Sequence, residues 1–108
     1  ATFEKCSSLS QINLPDTITE IKSMTFWYCK SLANFVLPDA VTKIEESTFE
    51  GCGALTEISI ENVSAIEKRA FAKCKKLKSI KFSSNYIILR NIQTFWQSSG
   101  NNILFTAF

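Results

Sequence analysis

Four phenylalanines, Phe3, Phe26, Phe49 and Phe71, stand 23, 23 and 22 residues apart, and that spacing constrains every other reading of the chain. Cys6, Cys29, Cys52 and Cys74 follow at the same steps, as do Leu9, Leu32, Leu55 and Leu77. The register continues through Ile12, Phe35, Ile58 and Ile80, then Leu14, Leu37, Ile60 and Phe82. Ahead of the phenylalanines lie Ile18, Val41 and Val63, then Ile21, Ile44 and Ile66. Self-similarity at a fixed period of this size marks a repeat architecture. The phrase opens the chain as ATFEKCSSL and returns at residues 47–55 as STFEGCGAL. The chain therefore starts partway through a unit and reads as a piece of a longer array.

A unit of this length is too short to bury its own apolar face, so it must stack on its neighbours around a continuous core. Taken locally, ITEIKSMTF has the Ile18–Ile21 spacing of an amphipathic helix, but the period overrules that reading. The segment L-x-x-I-x-L alternates as a short strand. Pro15 and Pro38 close it in the first two copies, because proline has no N–H to give a ladder; the third copy lacks the proline and is one residue shorter near Glu61. The expected fold is a repeat solenoid of about four coils of 22–23 residues. Short parallel strands line its concave side, and irregular or 3₁₀-like turns around each F-x-x-C form its convex side.

The phrase F-x-x-C-x-x-L-x-x-I-x-L-P resembles the BspA-like (Treponema-type) class of leucine-rich repeats, found in surface proteins of bacteria and of some parasitic protists. The likeness covers residues 1–82. Where the family often has glycine two residues after the second Ile, this chain has Ser23, Glu46 and Lys68, which touches turn geometry rather than architecture. The resemblance implies a non-catalytic protein-interaction or adhesion module from a larger protein at the cell surface or outside the cell, with a protein or host-surface ligand. An intracellular setting stays open, since four reduced cysteines suit it too. Residues 83–108 read as a degenerate last coil and C-terminal cap: Tyr86, Leu89 and Phe95 keep the early columns, Ser98 replaces the cysteine, and Ile103, Thr106 and Phe108 resume the strand. Nothing ahead of Phe3 covers the first coil, so self-association through an open N-terminal coil is a second reading.

Composition narrows the chemistry. The 108 residues are 45% hydrophobic and 20% charged with a net charge of +2, as in one ordered domain, too weakly basic to imply nucleic acid or membrane partners by itself. No apolar run approaches a membrane span. With no histidine, Ser-His and Cys-His catalysis is excluded, and the cysteine spacings match no structural zinc site. Asp16 and Asp39 follow Leu-Pro at equivalent positions and read as turn residues, not as a catalytic pair. The chain is expected to be no enzyme, with no cofactor and no metal. The cysteines share columns flanked by Phe and Leu and are expected as buried reduced thiols. Asn62-Val63-Ser64 matches the N-glycosylation pattern.

Three surfaces are candidates for binding. Residues between the apolar strand columns point away from the core: Gln11, Asn34, Glu57 and Ser79 in one column, and Asn13, Val36, Ser59 and Lys81 in the other. They vary between copies while the core does not, as a recognition surface allows. On the convex side Trp27 and Tyr28 follow Phe26, and Trp96 follows Phe95; these aromatics are expected to pack half-buried against a neighbouring coil or to serve a contact. Lys68–Lys81 holds seven basic residues and no acid, an alternative site for an anionic glycan or nucleic acid, although the register scatters them around one coil.

Overall fold

The computed structural model describes residues 3–82 and 104–107. Its strands in chain order are β1 (Gln11–Ile12), β2 (Asn34–Phe35), β3 (Lys43–Ile44), β4 (Glu57–Ile60), β5 (Ala65–Ile66), β6 (Ser79–Phe82) and β7 (Leu104–Ala107). All pairings are parallel: β1 with β2, β3 with β5, and β4 with β6 with β7. Each pairing sets like columns of adjacent repeats side by side, as Ile12 beside Phe35 and Ile58 beside Ile80.

Proline decides how long each strand runs. Repeats carrying Pro15 or Pro38 form two-residue strands, whereas β4 and β6, where no proline follows, run for four residues. Both kinds end in the same turn, closed by Ile18 N–H on the Pro15 carbonyl, Val41 on Pro38, and Val63 on Ile60. In the third repeat the last strand residue supplies the carbonyl itself, so the position deleted there is the proline. Asp16 and Asp39 lie exposed at these turns.

The core is the set of columns. The Phe3, Phe26, Phe49 and Phe71 rings stack nearly parallel, with centroids 5.5, 5.6 and 5.5 Å apart. Phe35 meets Phe26 and Phe49 edge-on at 5.1 and 5.0 Å. Cys29, Cys52 and Cys74 are fully buried, and each thiol donates to the carbonyl of the phenylalanine one repeat earlier: Cys29 to Phe3 (2.9 Å), Cys52 to Phe26 (3.2 Å) and Cys74 to Phe49 (3.0 Å). The thiol is thus both small apolar filler and a donor that ties repeats together. Burial pushes the Cys29 and Cys52 thiols up, and Cys74 up to about 12, so little thiolate exists near neutrality. In native protein at pH 8, iodoacetamide is expected to label the half-buried Cys6 first, with Cys29, Cys52 and Cys74 labelled only on unfolding; mass spectrometry reads the order.

Around each F-x-x-C the side opposite the strands is built from hydrogen-bonded turns. Cys29 N–H donates to Phe26 and Leu32 N–H to Cys29, and the pattern recurs at Cys6, Cys52 and Cys74. No 3₁₀ run develops among the described residues, because residues of positive φ interrupt it: Lys5 (59°), Tyr28 (56°), Gly51 (80°) and Lys73 (57°) in one column. A second column holds Met24 (60°), Ser47 (58°) and Arg69 (59°). The left-handed position therefore falls one residue after Ser23, Glu46 and Lys68, where the family's glycine was anticipated. These conformations let backbone amides reach the next repeat, as Phe26 N–H reaches Thr48, Tyr28 reaches Glu50 (2.7 Å) and Gly51 reaches Ala72 (2.8 Å).

Two strand features differ from the sequence reading. The β3–β5 ladder forms where Ile44 and Ile66 were read only as core columns of the irregular side. In β7, Phe105 pairs with Ile80 and Ala107 with Phe82, one residue earlier than the alignment of Thr106 and Phe108 with those columns. A one-residue slip exchanges the faces of a strand, so this register sets Phe105 and Ala107, not Thr106 and Phe108, at the strand positions of Ile80 and Phe82. The remainder of the expected cap, with Tyr86, Leu89, Phe95, Trp96 and Ser98, lies outside the described residues.

Candidate binding surfaces

The strand face is built as the alternation requires. Gln11 lies beside Asn34, Glu57 beside Ser79, and Ser59 beside Lys81, each pair in register. Gln11, Asn13, Asn34, Val36, Glu57, Ser59 and Lys81 are exposed, and Ser79 is half-buried. The residues alternating with them, Phe35, Ile58, Ile60 and Ile80, are buried. The eight positions thus share one surface. Its apolar point is Val36, 81% exposed. Beside it is a recess of about 170 Å³ lined by Pro38, Asp39, Ser59 and Asn62 among others.

The turn face brings together residues distant in sequence. The Trp27 and Tyr28 rings, adjacent in one repeat, meet edge-on at 4.7 Å, both half-buried. Tyr28 lies against Gly51 so closely that a Cβ there would stand 2.5 Å from Tyr28 Cδ1. Lys73 Nζ stands 6.0 Å over the Tyr28 ring and Lys5 Nζ 5.2 Å over Trp27. An open cleft of about 670 Å³ runs between Tyr28, Lys30, Gly51, Gly53, Lys73 and Lys75. Sequence reasoning singled out the aromatics and the basic run but not Lys5, Lys30, Gly51 or Gly53. The available signal was the column Lys5, Tyr28, Gly51, Lys73, where glycine follows tyrosine one repeat later.

The basic run itself is divided. Lys73 and Lys75 line the cleft, while Lys81 belongs to the opposite, strand face. Arg69 grips Glu50, Nη2 to Oε2 at 2.6 Å and Nε to Oε1 at 3.2 Å, with the Glu50 side chain only 7% exposed. Burial alone would push the Glu50 carboxyl up; hydrogen bonds from Arg69 and Ser47 and the charge of Arg69 outweigh it and hold the pKa below the ordinary carboxylate value. A depressed folded pKa means the pair stabilises the fold above the ordinary carboxylate pKa and loses that contribution as pH falls through the folded one. Melting temperature is therefore expected to fall more steeply on acidification in the wild type than in Glu50→Gln. At neutral pH, Arg69→Met, which strands a buried carboxylate, should cost about 2 kcal/mol and more than Glu50→Gln.

Stacked aromatic and thiol columns, parallel ladders of two or three strands, and an exposed face of variable side chains define a leucine-rich repeat protein. Among the described residues no three Cys, Asp or Glu side chains converge as metal ligands, and no helix is long and apolar enough to cross a membrane. The chain belongs to the BspA-type leucine-rich repeat family, whose model matches residues 1–106 in six copies. The chain is similar to a leucine-rich cell surface protein of Faecalibacterium prausnitzii, at 29% identity and a TM-score of 0.81, over 98% of this chain and 28% of that one. It also shares its fold with a leucine-rich repeat protein of Bacteroides ovatus, at 24% identity and a TM-score of 0.62, over 72% of this chain and 32% of that one. It thus spans about a third or less of either structure. No curated protein matches it.

Proposed function

We propose that the chain is a non-catalytic protein-binding and adhesion module, a length of a larger cell-surface leucine-rich repeat protein, that recognises a protein or host-surface ligand. In this reading about four coils make a solenoid whose strand ladders form the concave side. The observation that carries it is the strand face, where Gln11, Asn34, Glu57, Ser59 and Lys81 stand in register and exposed around Val36. Regular backbone spacing lets such a face make several modest contacts at once, with an exposed apolar side chain as the natural centre. The cell-surface description of the Faecalibacterium protein supports the setting, and the absence of histidine supports a non-catalytic role.

The test is binding to a panel of purified extracellular proteins by interferometry. Asn34→Glu/Val36→Glu/Ser59→Glu should weaken any wild-type interaction at least about tenfold, since burying unmatched charge opposes docking. Ser7→Glu/Ser8→Glu/Lys30→Glu, changed on the turn face, should leave it intact. The reverse pattern would sink the proposal.

A second reading, self-association, is favoured by an apolar cleft of about 270 Å³ beside the first repeat, lined by Phe3, Leu14, Ile18, Ile21 and Phe26 among others. Light scattering would then show a dimer that Ile18→Glu abolishes; a wild-type monomer at every concentration would remove this reading.

A further inference from the structure

We propose that the turn face carries a second binding site, the cleft beside Tyr28, and that its ligand class is an acidic oligosaccharide of the uronate type. This goes beyond the strand-face reading and uses none of its residues.

Three observations converge. First, the cleft is assembled from three repeats: Tyr28 and Lys30 from the second, Gly51 and Gly53 from the third, Lys73 and Lys75 from the fourth. Its floor is formed where Gly51 and Gly53, flanking Cys52, stand at the positions that hold Tyr28 and Lys30 one repeat earlier. At Gly51 a side chain would collide with the tyrosine, and at Gly53 the space where a Cβ would project is open. Second, two cations of this neighbourhood are held in place by aromatic rings. Lys73 stands over Tyr28, and Lys5 over Trp27 in an adjoining recess of about 260 Å³. No described carboxylate forms an ion pair with Lys5, Lys30 or Lys73. Glu50, the acid of this neighbourhood, is buried against Arg69. Among the described residues no carboxylate lines the cleft or the recess. Third, the trough is open and of ligand size, so it suits an extended chain and not an enclosed small molecule.

An acidic oligosaccharide matches each element. The C–H face of a pyranose packs on the electron-rich face of an aromatic ring. Parallel neighbours lie about 4.8 Å apart, so the backbones at Lys30 and Lys75, two repeats apart, are roughly 10 Å from each other, near the length of a disaccharide. Ammonium groups bind carboxylates as point charges without demanding one geometry. A nucleic acid strand fits less well, since it brings a base with every phosphate and finds a single tyrosine platform.

The probe is a hexamer of galacturonate titrated calorimetrically at low salt, with its methyl ester and hexathymidylate as comparisons. The free acid should bind, weaken as salt rises, and bind more tightly than either comparison. Lys30→Ser/Lys73→Ser should weaken it about tenfold or more, and Tyr28→Ala should weaken it with little change in salt slope. Lys68→Ser/Lys78→Ser, the same charge change elsewhere, should leave it unchanged. Absence of binding, equal binding of the ester, equal loss in the Lys68/Lys78 variant, or tighter binding of hexathymidylate would each overturn the assignment. None of these results bears on the strand face, whose own variants test it separately.

Discussion

Phe49→Ala is expected to destabilise the fold by about 3–5 kcal/mol, a large part of the stability of a domain this size. Phe49 is fully buried in the middle of the ring column, stacked on Phe26 at 5.6 Å and on Phe71 at 5.5 Å, with Phe35 edge-on at 5.0 Å. Its removal opens a cavity that two neighbouring repeats must both relax to fill, which regular stacking opposes. Phe3 is only half-buried and stacks on one described ring, so Phe3→Ala should cost clearly less. Urea unfolding followed by far-ultraviolet circular dichroism gives both values. Equal losses at the two positions would mean that the column does not act as a continuous core.

Gly51→Ala should cost about 2–3 kcal/mol, although it adds one methyl group. The left-handed backbone at φ 80° disfavours any Cβ, and that methyl would lie 2.5–2.7 Å from Tyr28 ring carbons. The two terms separate in a double-mutant cycle. With Tyr28→Ala in place, Gly51→Ala should lose the steric part and retain about 1–2 kcal/mol from the backbone alone. Purely additive losses would show that the tyrosine does not rest on the glycine. Lys5, Met24, Ser47, Arg69 and Lys73 hold similar φ values without being glycine. The fold therefore tolerates this strain where the side chain has room, and Gly51 is required by what lies above it.

How much of this was legible in sequence follows from what a period reports. Seven apolar columns fixed at one spacing specify which residues share a core layer, and Phe26, Phe49, Cys52 and Leu55 are all buried accordingly. Alternation within L-x-x-I-x-L likewise placed Gln11, Asn34, Glu57 and Ser59 outward. The same logic explained the strand ends, since Pro15 and Pro38 remove donors. Other features carried no periodic mark. Lys5, Tyr28 and Arg69 give no hint of a left-handed backbone, because neighbouring-repeat hydrogen bonds impose it against local preference. The β3–β5 pairing is two residues long, below what alternation can signal. The Glu50–Arg69 pair and the Tyr28 cleft depend on side chains that differ between copies, and a consensus averages such differences away. The register of β7 has no periodic mark, because the columns degrade before it and the length of the insertion ahead of it is not fixed by the repeat.

On the proposed reading, a protein partner docks on the strand face with its in-register exposed columns. Amide chemical-shift mapping tests it most directly, using ¹⁵N-labelled chain titrated with the first protein bound in the interferometry panel. Shifts are expected to concentrate at Gln11, Asn34, Val36, Glu57, Ser59 and Lys81, with Ser7, Tyr28, Lys30 and Gly53 unmoved. Shifts confined to those four turn-face amides, with the strand columns silent, would contradict it.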